Sequence, residues 1–123
     1  MSDVVELRGV KVASAGEIVR LEVGSWAGVS MTAGPMPGST QFRFHNRTLG
    51  HVHAAWDGVA MADLIFSPES GEALIVAGRA DPHPMIPGMG WVSVQMRTTA
   101  DAAKVIRLFR ENYDRCGGCL HIV

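Results

Sequence analysis

A turn signal at Asn46 and Arg47 constrains the fold of this chain more than any other feature. Residues 40–45 before it alternate apolar and polar side chains, and residues 48–53 after it resume an extended pattern. Asparagine tolerates the positive φ that two-residue hairpin turns require. The pattern therefore predicts an antiparallel β-hairpin.

The register of this hairpin determines which way its histidines point. With residues 46 and 47 as the loop, the opposed pairs are His45 with Thr48, Phe44 with Leu49, Phe42 with His51, and Thr40 with His53. Opposed residues share a face of the sheet. We therefore expect His51 and His53 to project from the same buried face as Phe42 and Phe44, with His45 on the other side.

Three segments have helical patterns. Ser14 and Glu17 form a capping-box pattern before a helix over about residues 15–23. A serine cap followed by proline begins a second helix at residue 67, which Gly78 ends. A third helix, over about residues 99–115, has apolar side chains at helical spacing.

Strand patterns occur between these helices, at residues 61–66 and 91–96, and residues 26–32 lead into another strand. Residues 81–90 contain several turn formers and no periodicity, which predicts a loop. Together the elements predict an α+β fold in which a small antiparallel sheet of four to five strands packs against two or three helices. A sheet face left uncovered, or capped by the 81–90 loop, is the expected ligand site.

Length and composition limit the classes of protein. At 123 residues the chain fits one domain, 1–123, with residues 116–123 as a C-terminal tail. Eleven basic and twelve acidic side chains make nucleic acid an unexpected partner. No apolar run approaches the roughly 20 residues of a membrane span, and the N-terminus does not resemble a signal peptide. We expect a cytoplasmic protein with no membrane partner.

Three histidines are the candidate catalytic residues. His51 and His53, separated by one residue, share a strand face, and His83 from the loop can complete a ring of imidazoles. Such a ring suits a divalent metal, and it equally suits a pocket where one imidazole takes a proton and another stabilises the anion. The alternative is that each histidine is an ordinary surface or core residue.

Other side chains are candidates for substrate binding, each with a structural alternative. Asp63 is an acid inside a strand and needs a partner, whereas Arg79 could clamp an anion or simply be solvated. Trp91 could stack on a flat ligand or pack in the core. The candidate substrate-binding residues are Arg47, Asp63, Arg79, Trp91, Phe42 and Phe44.

Known cofactor motifs do not occur in the chain. It has no Walker loop, no GxGxxG after a strand, no GxSxG and no HExxH, so no nucleotide, flavin or nicotinamide cofactor is predicted. Cys116 and Cys119 have CxxC spacing, but they follow a helix with only His121 nearby. Redox dithiols usually begin a helix and structural zinc needs four ligands, so a functional role for the pair is not favoured.

Several segments together resemble a known family. They are Arg47-x-x-Gly50-His51-x-His53, Ala62-Asp63-Leu64, Ala77-Gly78-Arg79-Ala80-x-Pro82-His83-Pro84, Gly90-Trp91-Val92-Ser93-Val94 and Tyr113-Asp114-Arg115. This order and spacing resembles the luciferase-domain family, which includes the luciferase of bioluminescent fungi. The resemblance covers about residues 28–115.

The resemblance implies oxygenation of an electron-rich enol, phenol or pyrone by O2, with no recognised cofactor. His51, His53 and His83 match the family's motif histidines, which implies a base and donors that stabilise an oxyanion or peroxide. The expected function is therefore a cofactor-independent oxygenase whose partners are a small molecule and O2. A three-histidine metalloenzyme and a non-catalytic ligand-binding module are the alternatives, and the chain is compatible with a homodimer.

Overall fold

The computed structural model describes residues 5–7, 10–12, 14–56 and 59–120. Within these ranges the chain forms three helices and eight strands. In order they are β1 (Val5–Leu7), β2 (Val10–Val12), α1 (Ala15–Gly24), β3 (Val29–Ala33), β4 (Thr40–Phe44), β5 (Arg47–Trp56), β6 (Val59–Ile65), α2 (Pro68–Val76), β7 (Asp81–Pro82), β8 (Trp91–Met96) and α3 (Thr99–Leu120). No helix in the described ranges is long and apolar enough to span a membrane.

Six of the strands form one antiparallel sheet in the order β3-β4-β5-β6-β8-β7. The predicted α+β class is confirmed. The strand number exceeds the predicted four to five because the first two residues of the expected loop, Asp81 and Pro82, pair with Ser93 and Val92 to form β7. β1 and β2 form a separate two-stranded antiparallel sheet.

The helix starts follow from their caps. Ser14 Oγ accepts a hydrogen bond from the Glu17 backbone N–H at 3.2 Å, and Ser67 Oγ accepts one from the Ser70 N–H at 3.1 Å. Each bond satisfies a backbone donor that the first helical turn leaves without a partner. Both predicted caps are confirmed. The third helix begins at Thr99 as expected and continues to Leu120.

The core lies between one face of the sheet and the helices. Phe42 of β4 packs edge-on against Phe109 of α3, with ring centroids 5.2 Å apart. Gly16 of α1 lies over Val52 and Ala60. Other fully buried side chains of this core are Val19, Val23, Leu64, Val92, Val105 and Leu108. The alternate residues of β4, β5, β6 and β8 point to the opposite face, where the helices do not pack.

The β4–β5 hairpin turns one residue earlier than predicted. His45, with a positive φ of 55°, and Asn46 form the turn, so Phe44 pairs with Arg47. A β-bulge then follows, because Arg43 pairs with Thr48 whereas the next residue, Phe42, pairs with Gly50. Leu49 is the additional residue, and it is fully buried.

The bulge places the histidines on the face of the sheet opposite the helices. The earlier turn moves the pairing of β4 with β5 by two residues and leaves the facing unchanged, whereas the bulge moves it by one. His51 pairs with Gln41, not with Phe42. A shift of one residue moves every side chain to the other face, so the prediction that His51 and His53 share the buried face of Phe42 and Phe44 is wrong. The bulge allows both Leu49 and Val52, three residues apart, to enter the core.

Gly50 completes this bulge. A Cβ atom at residue 50 would lie 2.3 Å from the carbonyl oxygen of Asp63 and 3.1 Å from the ring of Phe109. No side chain fits between these groups, since the first distance is well inside van der Waals contact. Glycine therefore permits the close approach of β5 to β6 at Asp63.

Asn112 of α3 binds the sheet next to the bulge. Its Nδ2 donates to the carbonyl oxygens of Leu49 at 3.1 Å and Ile65 at 2.9 Å, and its Oδ1 accepts from Arg115.

Replacing Asn112 with leucine should lower the free energy of unfolding by about 2–4 kcal/mol, because two carbonyls lose their buried donor. Urea unfolding would measure this, with the exposed Asn46→Ala as control; an unchanged stability would contradict it.

Candidate active site

The face of the sheet opposite the helices carries a compact polar group in its centre. Gln41 of β4, His51 and His53 of β5, Asp63 of β6, and Ser93 of β8 occupy neighbouring positions across the strands. The 81–90 loop adds His83. We call His51, His53, Asp63 and His83 the histidine cluster. The structure thus brings together all three histidines that the sequence singled out.

Asp63 is the centre of the cluster. Only 5% of its surface is exposed. Ser93 Oγ donates to Asp63 Oδ1 at 2.6 Å, and His53 Nε2 donates to Asp63 Oδ2. A buried carboxylate is costly unless it is hydrogen-bonded and paired, and both conditions are met here. The partner that the sequence required for this acid is therefore His53 on the adjacent strand.

The other ring nitrogen of His53 has no hydrogen-bond partner in the part of the chain that the structure describes. Because Nε2 donates to Asp63, the neutral ring carries its proton on Nε2 and a lone pair on Nδ1. Nδ1 is buried and makes no hydrogen bond with any described residue. A carboxylate that fixes the imidazole tautomer and can stabilise the imidazolium is the arrangement of a histidine general base.

His51 is held in a neutral state. Its Nε2 lies 3.1 Å from Gln41 Oε1 and donates to it. The pKa of His51 is lowered from its ordinary value by burial first, then by the neighbouring imidazoles of His53 and His83, although Asp63 opposes the shift. At neutral pH His51 therefore contributes an uncharged imidazole, bonded to Gln41, to the cluster.

The lowered pKa of His51 predicts a pH-dependent stability. The unfolded chain binds a proton at His51 near pH 6.5, whereas the folded chain binds it only at lower pH, so stability falls as the pH drops below about 6.5. Urea unfolding of chelator-treated protein between pH 5 and 8 should show this fall. His51→Gln, which keeps a donor for Gln41 but does not titrate, should show less of it; an identical pH profile would contradict the prediction.

His83 reaches the cluster from the loop that follows β7. Its Nδ1 accepts hydrogen bonds from the backbone N–H groups of Met85 at 3.1 Å and Ile86 at 3.3 Å. Its Nε2 lies 3.6 Å from Asp63 Oδ2. The ring meets Trp91 edge-on with centroids 5.6 Å apart, and His51 lies at the same centroid distance from Trp91. Trp91 therefore lies beside two cluster histidines.

Four of the candidate substrate-binding residues lie elsewhere. Phe42 and Phe44 face the helices, where Phe44 packs against Tyr113 with tilted rings whose centroids are 4.5 Å apart. Arg79 follows α2 and forms an ion pair with Glu111 of α3. Arg47 is exposed at the hairpin turn. Asp63 and Trp91 are the two that the structure places in or beside the cluster.

Gln41 and Ser93 were missed by the sequence reasoning. Ser93 follows Trp91 by two residues on a cleanly alternating strand, so its position on the same face as Trp91 could have been read from the sequence. Gln41 could not, because its pairing with His51 depends on the bulge. Cys116 is buried and has a free thiol, whereas the side chain of Cys119 lies outside the described residues.

The cluster also contains a set of metal-type ligands. One ligand atom each from His51, His53 and Asp63 lies within 4.8 Å of the other two. Two imidazoles and one carboxylate are the ligand set of non-haem iron oxygenases. The sequence predicted His83 as the third ligand of a metal site. In the structure the third ligand beside His51 and His53 is Asp63.

Comparison with known proteins is consistent with the site's location. The family described as Luciferase domain matches residues 46–112, which include the whole histidine cluster. No curated protein and no solved structure matches the chain. The matched segment is more than half of the 123 residues. The chain belongs to the luciferase-domain family.

Proposed function

We propose that this protein is an oxygenase that acts on a small electron-rich enol, phenol or pyrone without a cofactor, with His53 as the general base. One observation carries the proposal: Nδ1 of His53 is buried and has no hydrogen-bond partner among the described residues, while Asp63 fixes the tautomer that leaves this nitrogen unprotonated. A structural histidine in such a position would normally bond through both nitrogens.

The reaction needs one proton transfer before O2 reacts. His53 Nδ1 takes the acidic proton of the substrate, and the resulting imidazolium is stabilised by the carboxylate of Asp63. The substrate anion transfers its electrons to O2, a carbon–oxygen bond forms, and a peroxide anion results. The peroxide takes the proton back from His53. Substrate and O2 therefore combine to a hydroperoxide with no other reactant.

The charges around the cluster favour a substrate that arrives neutral. His51 is kept neutral, and the carboxylate of Asp63 is already satisfied by Ser93 and His53. Arg43, the basic residue of β4 on this face, is bonded to Thr48 and to the Asn46 carbonyl. A neutral acid that ionises only after binding fits these surroundings better than a carboxylate.

An oxygen-electrode experiment tests the proposal. Chelator-treated protein should consume O2 with at least one member of a panel of hydroxypyrones, polyphenols and stable enols, and an anaerobic sample should leave the same compound unchanged. His45→Asn, which replaces an exposed histidine at the hairpin turn, should retain the rate. Tight binding of a panel compound that is recovered unchanged in air would instead identify a non-catalytic binding module.

A metal-dependent oxygenase is the second candidate, and the His51, His53 and Asp63 ligand set favours it. These residues would hold a divalent ion, which supplies a redox centre for O2 when bound. Elemental analysis of freshly purified protein distinguishes the two functions. Stoichiometric metal, together with activity that a chelator removes and iron(II) restores, would replace the cofactor-independent proposal.

A further inference from the structure

His83 is set in the loop in a way that fixes which of its nitrogens carries the proton. Nδ1 accepts from two backbone N–H groups, those of Met85 and Ile86. A protonated Nδ1 would face both donors and lose both bonds. The loop therefore holds His83 as the neutral tautomer with its proton on Nε2.

The Nε2–H of His83 is directed into the cluster but is not bonded there. Asp63 Oδ2 is 3.6 Å away, beyond hydrogen-bonding distance, and that oxygen already accepts from His53. No other described residue accepts a bond from His83 Nε2. The side chain is only 15% exposed, its ring lies edge-on against Trp91, and its Nδ1 is bonded to the loop backbone. The result is a preoriented donor that has no acceptor within the described ranges.

The two histidines next to Asp63 thus have opposite hydrogen-bonding character. His53 presents a bare lone pair at Nδ1, and His83 presents an N–H at Nε2. A pair of this kind can bind an acidic hydroxyl group, with the base taking its proton and the donor holding the oxygen that becomes negative. A donor fixed in place before reaction requires no reorganisation when charge develops.

We infer that His83 is an anion-binding donor whose Nε2–H stabilises the oxyanion of a phenolic or enolic ligand. The backbone N–H groups of Met85 and Ile86 fix the position of this donor. The inference rests on the proposed function for the origin of that anion. The same tautomer makes His83 unsuited to bind a metal through Nε2, because that nitrogen carries the proton. The loop is then part of the site and not merely its cover.

Two substitutions separate the donor from the loop contact. His83→Asn keeps an acceptor, Oδ1, at the position of Nδ1, so it can still receive the Met85 and Ile86 N–H groups but cannot reach the ligand. His83→Gln places an N–H near the position of Nε2 but does not offer the Nδ1 acceptor. If His83 acts as a donor, His83→Gln should bind the ligand more tightly than His83→Asn. If His83 only holds the loop, His83→Asn should bind more tightly than His83→Gln.

The probe is 4-nitrophenol, whose anion absorbs at a longer wavelength than the neutral phenol, added to chelator-treated protein without any turnover. We expect His83→Asn to bind nitrophenolate about tenfold or more weakly than the wild type, because a hydrogen bond to a charged group is lost, and His83→Gln to remain within about threefold. Nitrophenolate binding unaffected in His83→Asn, or no binding by the wild type, would overturn the inference.

Nitrogen-15 NMR of the ligand-free wild type supplies an independent measurement. The ring of His83, assigned by comparison with His83→Asn, should show a protonated Nε2 and an unprotonated Nδ1; the reverse tautomer would overturn the inference. Both experiments omit O2 chemistry. If they succeed while no panel compound consumes O2, the donor role stands and the proposed oxygenase function fails.

Discussion

Replacing His53 with glutamine should lower the rate of O2 consumption by about 10²–10⁴-fold, the contribution typical of a positioned general base. Glutamine carries an N–H near the position of imidazole Nε2, so the hydrogen bond to Asp63 can persist. It has nothing equivalent to the bare Nδ1 lone pair. The substitution therefore removes the base while leaving the support of Asp63 in place.

The measurement is the initial rate with the panel compound that the wild type turns over fastest. Urea unfolding should show that His53→Gln is folded. His45→Asn is the matched control, since His45 is exposed at the turn and does not contact the cluster. Full turnover by a folded His53→Gln would exclude His53 as the base.

Replacing Asp63 with asparagine should reduce turnover by at least about 10²-fold, although no group that receives the substrate proton is removed. Ser93 Oγ donates to Oδ1, and the asparagine carbonyl can keep that bond. The amide nitrogen then faces His53 Nε2 and donates to it. His53 must carry its proton on Nδ1 in response, so its lone pair no longer points to the substrate.

A double-mutant cycle tests this account of Asp63. If Asp63 acts by setting the tautomer and stabilising the imidazolium of His53, the His53→Gln, Asp63→Asn double variant should be no slower than His53→Gln alone. Asp81→Asn, which replaces an exposed acid on strand β7 at the edge of the sheet, should retain the wild-type rate. Additive losses in the cycle would show that Asp63 acts independently of His53.

Much of the fold could be predicted from the sequence because it depends on local signals. Ser14 and Ser67 begin helices where a serine side chain can accept a first-turn N–H, and the alternation of residues 91–96 predicts β8. The two-residue strand β7 was missed because Asp81 and Pro82 have no periodicity of their own. It exists only through pairing with β8.

The members of the site were predictable in part. His51, His53 and His83 drew attention because imidazoles occurred in apolar or turn-forming segments, and Asp63 because an acid interrupted a strand. Phe42, Phe44 and Arg79 were assigned to the substrate, but they contact Phe109, Tyr113 and Glu111 of α3 instead. Their contacts are to residues about 30 or more positions away, which local patterns do not report.

The sequence by itself therefore determined the α+β class, the principal helices and strands, and three histidines worth joining in one site. Only the tertiary structure decided on which face those histidines lie. Side chains alternate along a strand with a period of two. The single additional residue at Leu49 therefore moves the side chains that follow it on β5 to the opposite face of the sheet. That reversal pairs His51 with Gln41, brings His53 to Asp63, and leaves these side chains facing His83 and not the helices.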